Sequence, residues 1–290
     1  MATAFLGPRG TFSEDAALLY AGSGELIDFS TMPALTAAVE TGLATEAVLP
    51  IENSIEGAVS ATLDLLIHET PLKIKAELVV PVRLFLITAP GASLNDIKVV
   101  SSHPNPLGQS RRFLERCLPK AEKVAALSTA LAVEEVATRG DRSRAAIGTE
   151  RSAALFGGQI LAHDIQDVRS NVTRFVVLGP HDAEPSGDDK TSIGFKLKAN
   201  VPGALHKVLT PLAEENIQMT KIENRPTKVW LGEYVFLIDF EGHRTDPPII
   251  RALDQIRENC DVLKIFGSYP RFPLETFKHL NESPAFPSAS

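Results

Sequence analysis

The order of strand-like and helix-like segments constrains this chain most, because that order changes after about residue 183. Before this point, short apolar segments typical of strands alternate with helical patterns, which is typical of α/β lobes with parallel sheets. After residue 190 the order is strand, helix, strand, strand, helix, strand, which is the ferredoxin-like arrangement. The polar segment 183–190, with Pro185 and Gly187, separates the two parts and is interpreted as a linker.

The predicted elements of the first part are strands at 4–6, 47–51, 97–101 and 145–148, and helices from Thr11, at 57–67, 107–117 and 130–137, and from Glu150. The apolar segment 78–88 is either one long strand or two successive strands. In the second part we predict strands at 191–199, 217–224, 233–240 and 262–267, and helices at 202–215 and 247–258. We expect the chain to cross between lobes at Pro81 and near Ile165, so that lobe 1 comprises about 1–80 and 165–182 and lobe 2 about 81–164. The small domain is then 190–275, and 276–290 is a tail.

Composition excludes several classes of protein. The 290 residues are 44% hydrophobic and 22% charged, as in an ordinary globular protein, and the net charge of −7 argues against nucleic-acid binding. No apolar run approaches the ~18 residues of a membrane span, and residues 1–10 do not read as a signal peptide, so we expect a cytoplasmic protein without membrane contact. The two cysteines, Cys117 and Cys260, are interpreted as reduced thiols, and no Cys/His spacing indicates a metal site.

Four polar clusters follow predicted strands or open one. They are residues 7–14, 51–57, 101–104 together with Gln109, and 171–175. Each cluster alone also fits a helix cap or a loop. Together they predict one anion-binding pocket, because the carboxyl ends of strands in α/β lobes meet at a crevice. Since the net charge is negative, an anion would have to be held by local donors and helix N-termini.

Two residues of the last cluster have distinct chemistry. The hydroxyl of Thr173 is a poor proton donor, so a hydrogen bond to a leaving hydroxyl is easier to defend than full proton transfer. Arg174 either binds a carboxylate through two parallel hydrogen bonds or is a solvated charge at the end of a strand.

The four clusters resemble the signature blocks of the prephenate dehydratase family, in the family's order. Segments 200–205 and 223–226 resemble the fingerprints of an ACT regulatory domain, and the resemblance extends from residue 4 to about 275. It implies a periplasmic-binding-protein-like catalytic domain of two lobes, followed by the ACT domain. Asn105 and Asn224 stand where the family usually has Gln and Ser. No chorismate mutase helix bundle precedes residue 4, so we expect a monofunctional lyase.

The reaction that the resemblance implies converts prephenate to phenylpyruvate, water and carbon dioxide, without a metal or other cofactor. Thr173 is expected at the leaving hydroxyl, and Glu56 is expected to supply or relay the proton if burial favours its protonated form. The residues expected to bind the substrate are Thr11, Asn53, Ser54, Ser102, Gln109, Arg174 and Phe175.

The resemblance also implies feedback inhibition by L-phenylalanine, bound between paired ACT domains of a homodimer or homotetramer. The residues expected to bind it are Asn200, Gly203, Ala204, Leu205, Glu223 and Asn224. Two alternatives stay open at this point. Arogenate dehydratase activity differs only in the substrate, and a carboxylate-binding sensor without catalytic activity would have the same order of elements.

Overall fold

A computed structural model of the chain describes residues 2–230, 232–273 and 275, so the predicted tail 276–290 lies outside the described residues. The strands are β1 Ala2–Leu6, β2 Glu25–Phe29, β3 Glu46–Asn53, β4 Gly57–Ala58, β5 Lys73–Pro81, β6 Phe85–Thr88, β7 Val99–Ser102, β8 Glu122–Ala125, β9 Arg144–Gly148, β10 Gln159–Ala162, β11 Val172–Gly179, β12 Asp189–Leu197, β13 Met219–Pro226, β14 Tyr234–Glu241 and β15 Cys260–Pro270. The helices are α1 Phe12–Ala21, α2 Met32–Glu40, α3 Ser60–His68, α4 Pro104–Gln109, α5 Arg111–Cys117, α6 Thr129–Arg139, α7 Glu150–Phe156, α8 Ala204–Glu214 and α9 Pro247–Asn259. None of these helices is both long and apolar enough to cross a membrane.

The first lobe is built on a mixed sheet with the strand order β2-β1-β3-β11-β5, and β4 pairs with β3. Strand β1 is parallel to β2 and β3, whereas β11 is antiparallel to both β3 and β5. The expectation of a wholly parallel sheet is therefore wrong. Strand β11 enters this sheet from the second lobe and runs against its neighbours.

The second lobe has the strand order β10-β6-β9-β7-β8 and is also mixed. Strand β7 is parallel to β8 and β9, and β6 is antiparallel to β9 and β10. The chain passes between the two sheets twice, after β5 and before β11. The two passages run side by side, because Val82 N donates to Asn171 O at 2.8 Å and Ile165 N donates to Leu84 O at 2.9 Å.

The third sheet has the order β13-β14-β12-β15 and is antiparallel throughout. Its elements follow one another as strand, helix, strand, strand, helix, strand, which is the predicted ferredoxin-like arrangement. One face of the sheet packs against α8 and α9. The other face covers the first lobe, where Leu237, Phe266 and Tyr269 share a buried cluster with Leu35 and Val176. The small domain therefore completes the core of the first lobe.

Several local predictions are corrected by the structure. The segment 78–88 forms two strands in different sheets, β5 and β6. The helix predicted at 57–67 begins at Ser60, because Gly57–Ala58 first pairs with β3. The helix predicted at 107–117 is divided at Ser110 into α4 and α5. The last two residues of the predicted linker, 189 and 190, belong to β12, and the elements β2, α2, β8 and β10 were not predicted.

Candidate active site

Members of all four polar clusters meet at a cleft between the two lobes, with a volume of about 490 Å³. The predicted site residues that line it are Thr11, Asn53, Glu56, Gln109 and Thr173. A larger cavity of about 640 Å³ also touches both lobes, but none of the predicted catalytic or substrate-binding residues lines it. We therefore take the smaller cleft as the candidate active site.

A chain of amide hydrogen bonds fixes the polar groups of the cleft across both lobes. Asn53 Nδ2 donates to Thr173 Oγ1 at 3.0 Å and to Asn171 Oδ1 at 2.8 Å. Asn171 Nδ2 donates to Gln109 Oε1 at 3.1 Å, and Gln109 Nε2 donates to Glu56 Oε1 at 3.2 Å. The side chains of five residues from three separate segments are therefore held in one network. Fixed donors and acceptors of this kind lower the cost of orienting a bound ligand.

The position of Thr173 follows from the pairing of β11. Thr173 stands opposite Asn53 of β3 and Val80 of β5. Since its Oγ1 accepts the hydrogen bond from Asn53, the hydroxyl hydrogen is left for another partner, and no acceptor for it is found among the described residues. Thr173 can therefore donate to a ligand in the cleft.

Asn171 belongs to the fourth polar cluster, but no role was predicted for it from the sequence. It is fully buried just before β11 and connects Asn53 with Gln109. Ser54 supports the same segment, because its Oγ accepts from Val172 N at 3.0 Å and donates to Asn171 Oδ1 at 3.4 Å. Ser54 does not line the cleft. Ser54 was expected to bind the substrate, but its contacts in this structure instead orient the start of β11.

Helices α1 of the first lobe and α6 of the second lobe both begin at the cleft. The N-terminal residues of α1 and α6 both line it. The Thr11 hydroxyl donates to Pro8 O at 2.9 Å and does not cap α1. Ser128 caps α6 by accepting from Leu131 N at 3.1 Å. Helix N-termini attract anions through their dipoles and free N–H groups, so both lobes favour negative charge in the cleft.

The described residues that line this cleft include no lysine and no arginine. An anion bound there would be held by backbone N–H groups and neutral side chains, as expected from the negative net charge. Glu56 and His103 are the ionisable residues of this lining. The Glu56 side chain is exposed, so the condition of burial on which its expected role depended is not met.

Arg174 is turned away from the cleft, which corrects its expected role as a carboxylate fork. Successive side chains of a strand point to opposite faces, so Arg174 faces the third sheet while Thr173 faces the cleft. Its Nε donates to Glu77 Oε2 at 2.7 Å, Nη1 to Asp239 Oδ2 at 2.7 Å and Nη2 to Tyr269 OH at 2.9 Å. Burial opposes the charge, but the nearby Asp239 and Glu77 carboxylates outweigh it and hold the pKa of Arg174 well above its usual value.

Ser102 and Phe175 also lie outside the cleft, contrary to the substrate-binding roles expected for them. Ser102 is fully buried, and its hydroxyl donates to Ile147 O at 2.7 Å within the second sheet. Phe175 is 1% exposed and packs in the core beside Phe5 and Val48. Both side chains are therefore buried in the interior of a lobe and do not reach the cleft.

The residues expected to bind phenylalanine lie at two places in the single chain. Ala204 and Leu205 form the first turn of α8 after Gly203, whose φ of +82° favours glycine. Asn200 lies nearby and lines a cavity of about 210 Å³. Glu223 and Asn224 lie on β13, at the edge of the sheet, and point to opposite faces of that strand.

No group of three His, Cys, Asp or Glu side chains that could hold a metal ion occurs among the residues described by the structure. Cys117 is exposed and Cys260 is buried, and both are free thiols.

Comparison with known proteins confirms the family resemblance that the sequence suggested. Residues 3–183 match the prephenate dehydratase family, and residues 191–258 match the ACT domain. A prephenate dehydratase of Amycolatopsis methanolica is 40% identical over 272 residues, which cover 92% of this chain and 88% of that protein.

Two solved structures are similar over nearly the whole chain. One is a prephenate dehydratase from Arthrobacter aurescens in complex with L-Phe, with a TM-score of 0.86 and 36% identity over 93% of this chain and 90% of that one. The other, described as a quorum quenching acylase, has a TM-score of 0.86 and 31% identity over 95% of this chain and 100% of that one. The family match and the 40% identity show that this chain belongs to the prephenate dehydratase family and carries an ACT domain after its two lobes.

Proposed function

We propose that this chain converts prephenate to phenylpyruvate, carbon dioxide and water, as a step of L-phenylalanine biosynthesis. The observation that carries the proposal is the Thr173 hydroxyl, which accepts a hydrogen bond from Asn53 and keeps its hydrogen for a ligand in the cleft. The family match supports the reaction type.

In the proposed reaction, the ring C–O bond and the bond from the ring to its carboxylate carbon both break. The electron pair of the second bond enters the ring, which becomes aromatic, and the pair of the first bond leaves with the hydroxyl oxygen. Thr173 donates a hydrogen bond to that oxygen as its negative charge grows, which is where a fixed donor lowers the barrier. One proton is needed to form water, and the exposed Glu56 at the cleft is proposed to relay it from solvent.

The two carboxylates of prephenate are proposed to lie near the N-termini of α1 and α6. Thr11, Asn53 and Gln109 line the same cleft and offer neutral polar groups to the substrate. Asn171 orients the side chains of Asn53 and Gln109, and Ser54 orients the start of β11. Separation of the reacting ring from water favours loss of carbon dioxide.

We propose the catalytic domain as residues 1–182, divided into the two lobes described above, and the regulatory ACT domain as residues 190–275. L-Phenylalanine would bind between the ACT domains of a homodimer or homotetramer, at the six residues named above. The complex of the Arthrobacter aurescens relative with L-Phe supports this ligand. A cytoplasmic location is proposed because the relatives are enzymes of amino-acid biosynthesis.

The decisive assay follows the absorbance of phenylpyruvate after the pure protein is mixed with prephenate. Comparing the rate with that on arogenate decides between the two dehydratases. Hydrolysis of an N-acyl amide tests the acylase activity named for one similar structure. Absence of turnover of both prephenate and arogenate would contradict the proposal and would favour the sensor.

Thr173→Ala tests the proposed role of the hydroxyl. We expect kcat to fall by at least ~10²-fold while the protein stays folded, as on loss of a donor to developing charge. Thr173→Ser is the matched control, because it keeps the hydroxyl and should retain much more of the activity. Normal turnover by Thr173→Ala would refute the assignment of Thr173.

A further inference from the structure

We propose that Asp239, a residue of the ACT domain, positions Thr173 for the reaction by holding Arg174 from behind β11. Asp239 belongs to β14 and does not line the cleft. It acts through a strand of another domain and is therefore a positioning residue. This inference rests on the proposed dehydratase function.

The contact between the domains is a connected set of hydrogen bonds and ion pairs. The three donor nitrogens of Arg174 bond to Glu77 on β5, Asp239 on β14 and Tyr269 on β15. Ser192 on β12 completes the set, because its Oγ donates to Asp239 Oδ1 at 2.6 Å and lies 2.6 Å from Tyr269 OH. Strand β11 is thereby tied to three of the four strands of the third sheet.

The charges of this set balance one another. Lys190 Nζ is 2.7 Å from Glu77 Oε1, and Lys221 Nζ is 2.9 Å from Glu52 Oε2. Together with the Arg174–Asp239 pair, this makes three cations and three anions. Burial opposes ionisation of Asp239, but Arg174, Ser192 and Lys190 outweigh it, so the pKa of Asp239 lies below its usual value.

Burial makes the set sensitive to the loss of any single member. Tyr269 is fully buried, Glu77 and Asp239 are each 8% exposed, and the Arg174 side chain is 13% exposed. A charge that loses its partner in such a place cannot be solvated by water as well as on the surface, so the structure around it has to shift. Strand β11 carries Arg174, so a shift of the guanidinium acts directly on β11.

The local geometry of β11 transmits such a shift to Thr173. Thr173 and Arg174 are adjacent, and the pairing of β11 with β3 changes register between Arg174 and Phe175. A bulge interrupts the ladder with β3 at this point, whereas the ladder with β5 stays in register from Val172 to Val177. On the β3 side, which carries Asn53, the position of β11 therefore depends more on side-chain contacts. The guanidinium contacts then set the position of the Thr173 hydroxyl against Asn53.

Another ion pair between the same domains provides a comparison. Arg225 on β13 pairs with Asp64 on α3, with Nη2 and Oδ2 3.1 Å apart. Lys228 Nζ reaches the same carboxylate at 2.8 Å. These contacts join the ACT domain to the first lobe, but they do not touch β11. Loss of Asp64 should therefore weaken domain contact without moving Thr173.

The test is a double-mutant cycle on the full chain with prephenate as substrate. We expect Asp239→Asn to lower kcat by ~10-fold or more and to change KM by less than about threefold, since a small misplacement mainly affects the transition state. In the Thr173→Ala background the same substitution should lower kcat by less than about twofold, because the positioned hydroxyl is already gone. A merely structural role would give the same factor in both backgrounds and would overturn the inference.

Asp64→Asn is the matched control, and its kcat should stay within about twofold of the wild type. An equal loss of kcat in Asp64→Asn and Asp239→Asn would indicate general loosening of the domains and would also overturn the inference.

If Asp239→Asn does not fold, Arg174→Met combined with Asp239→Leu replaces the assay variant. This pair removes one cation and one anion, so the remaining charges still balance, and buried pairs often tolerate apolar replacement. We expect a folded protein whose kcat is again lowered ~10-fold or more, and full kcat would overturn the inference.

The outcomes distinguish this inference from the proposed function. If the wild type turns over prephenate and the Asp239 variants do so at the same rate, only this inference is refuted. A wild type that turns over neither prephenate nor arogenate refutes the proposed function itself.

Discussion

At the scale of single residues, side-chain alternation assigns different roles to neighbours in one motif. Thr173 faces the cleft, Arg174 faces the ACT domain, and Phe175 enters the core of the first lobe. Alternation along a strand separates Arg174 from Thr173 and Phe175 in the sequence, but it does not distinguish Thr173 at the cleft from Phe175 in the core. The partner of Arg174 could not be predicted, because Asp239 is 65 residues away in another domain.

A first prediction at this scale concerns Asn171, which links Asn53 with Gln109. Asn171→Ala should lower the free energy of unfolding by about 1–3 kcal/mol, because buried partners lose their hydrogen bonds. It should also lower kcat/KM for prephenate by ~10-fold or more, since Asn53 then orients Thr173 less well. Urea unfolding and steady-state kinetics measure the two effects.

Asn259→Ala is the control for this change. Asn259 makes one side-chain hydrogen bond to the Gln255 carbonyl oxygen, far from the cleft in sequence and fold, so both quantities should change little. Unchanged kcat/KM in Asn171→Ala would contradict a role for the amide network.

At the scale of elements, the third sheet packs against the first lobe where β15 closely approaches β5. A Cβ atom added at Gly267 of β15 would lie 2.0 Å from Ile74 O and 2.7 Å from Ile74 N on β5. Both atoms belong to the backbone of β5, so neither can move without displacing that strand. Glycine is therefore required here for contact between two sheets.

We predict that Gly267→Ala destabilises the protein by about 1–3 kcal/mol or more, because overpacking at a rigid backbone forces the sheets apart. Gly108→Ala, where an added Cβ meets no atom within 4 Å, should change stability little. Thermal unfolding of the two variants checks the difference. Equal unfolding midpoints would show that the two sheets are not held together at this point.

The elements also show where prediction from sequence succeeds. Strands 47–51 and 145–148 were predicted because apolar runs end at polar turns, and both occur within β3 and β9. Strand β2 was missed because Glu25–Phe29 is a half-exposed edge strand without a clear apolar run. The position of Thr173 beside Asn53 depends on β11 inserting between β3 and β5, and this pairing over a long sequence separation has no local signal.

At the scale of the whole molecule, the ACT domain contacts the strand that carries Thr173 and completes the core beneath it. A ligand that changes the position of the ACT domain would therefore change the site, provided that it binds the two arrangements with different affinity.

We predict that L-phenylalanine lowers the rate of prephenate turnover. A coupling free energy in the usual range of about 1–3 kcal/mol corresponds to a 5–150-fold change in substrate affinity. Asn200→Ala should weaken the response, and D-phenylalanine serves as the matched control ligand. An unchanged rate up to millimolar L-phenylalanine would count against regulation through this domain.

The cluster that joins Leu237, Phe266 and Tyr269 to the first lobe also limits how the chain can be divided. The polar segment 183–190 separates the two domains in the sequence. In the structure, however, side chains of the ACT sheet form part of the buried core of the first lobe. A gene truncated at that segment would encode a lobe with an uncovered apolar face and with Arg174 deprived of Asp239. Recombination between relatives should therefore exchange the two domains only together with their matching faces, since a foreign ACT domain would have to supply both the apolar cover and the carboxylate.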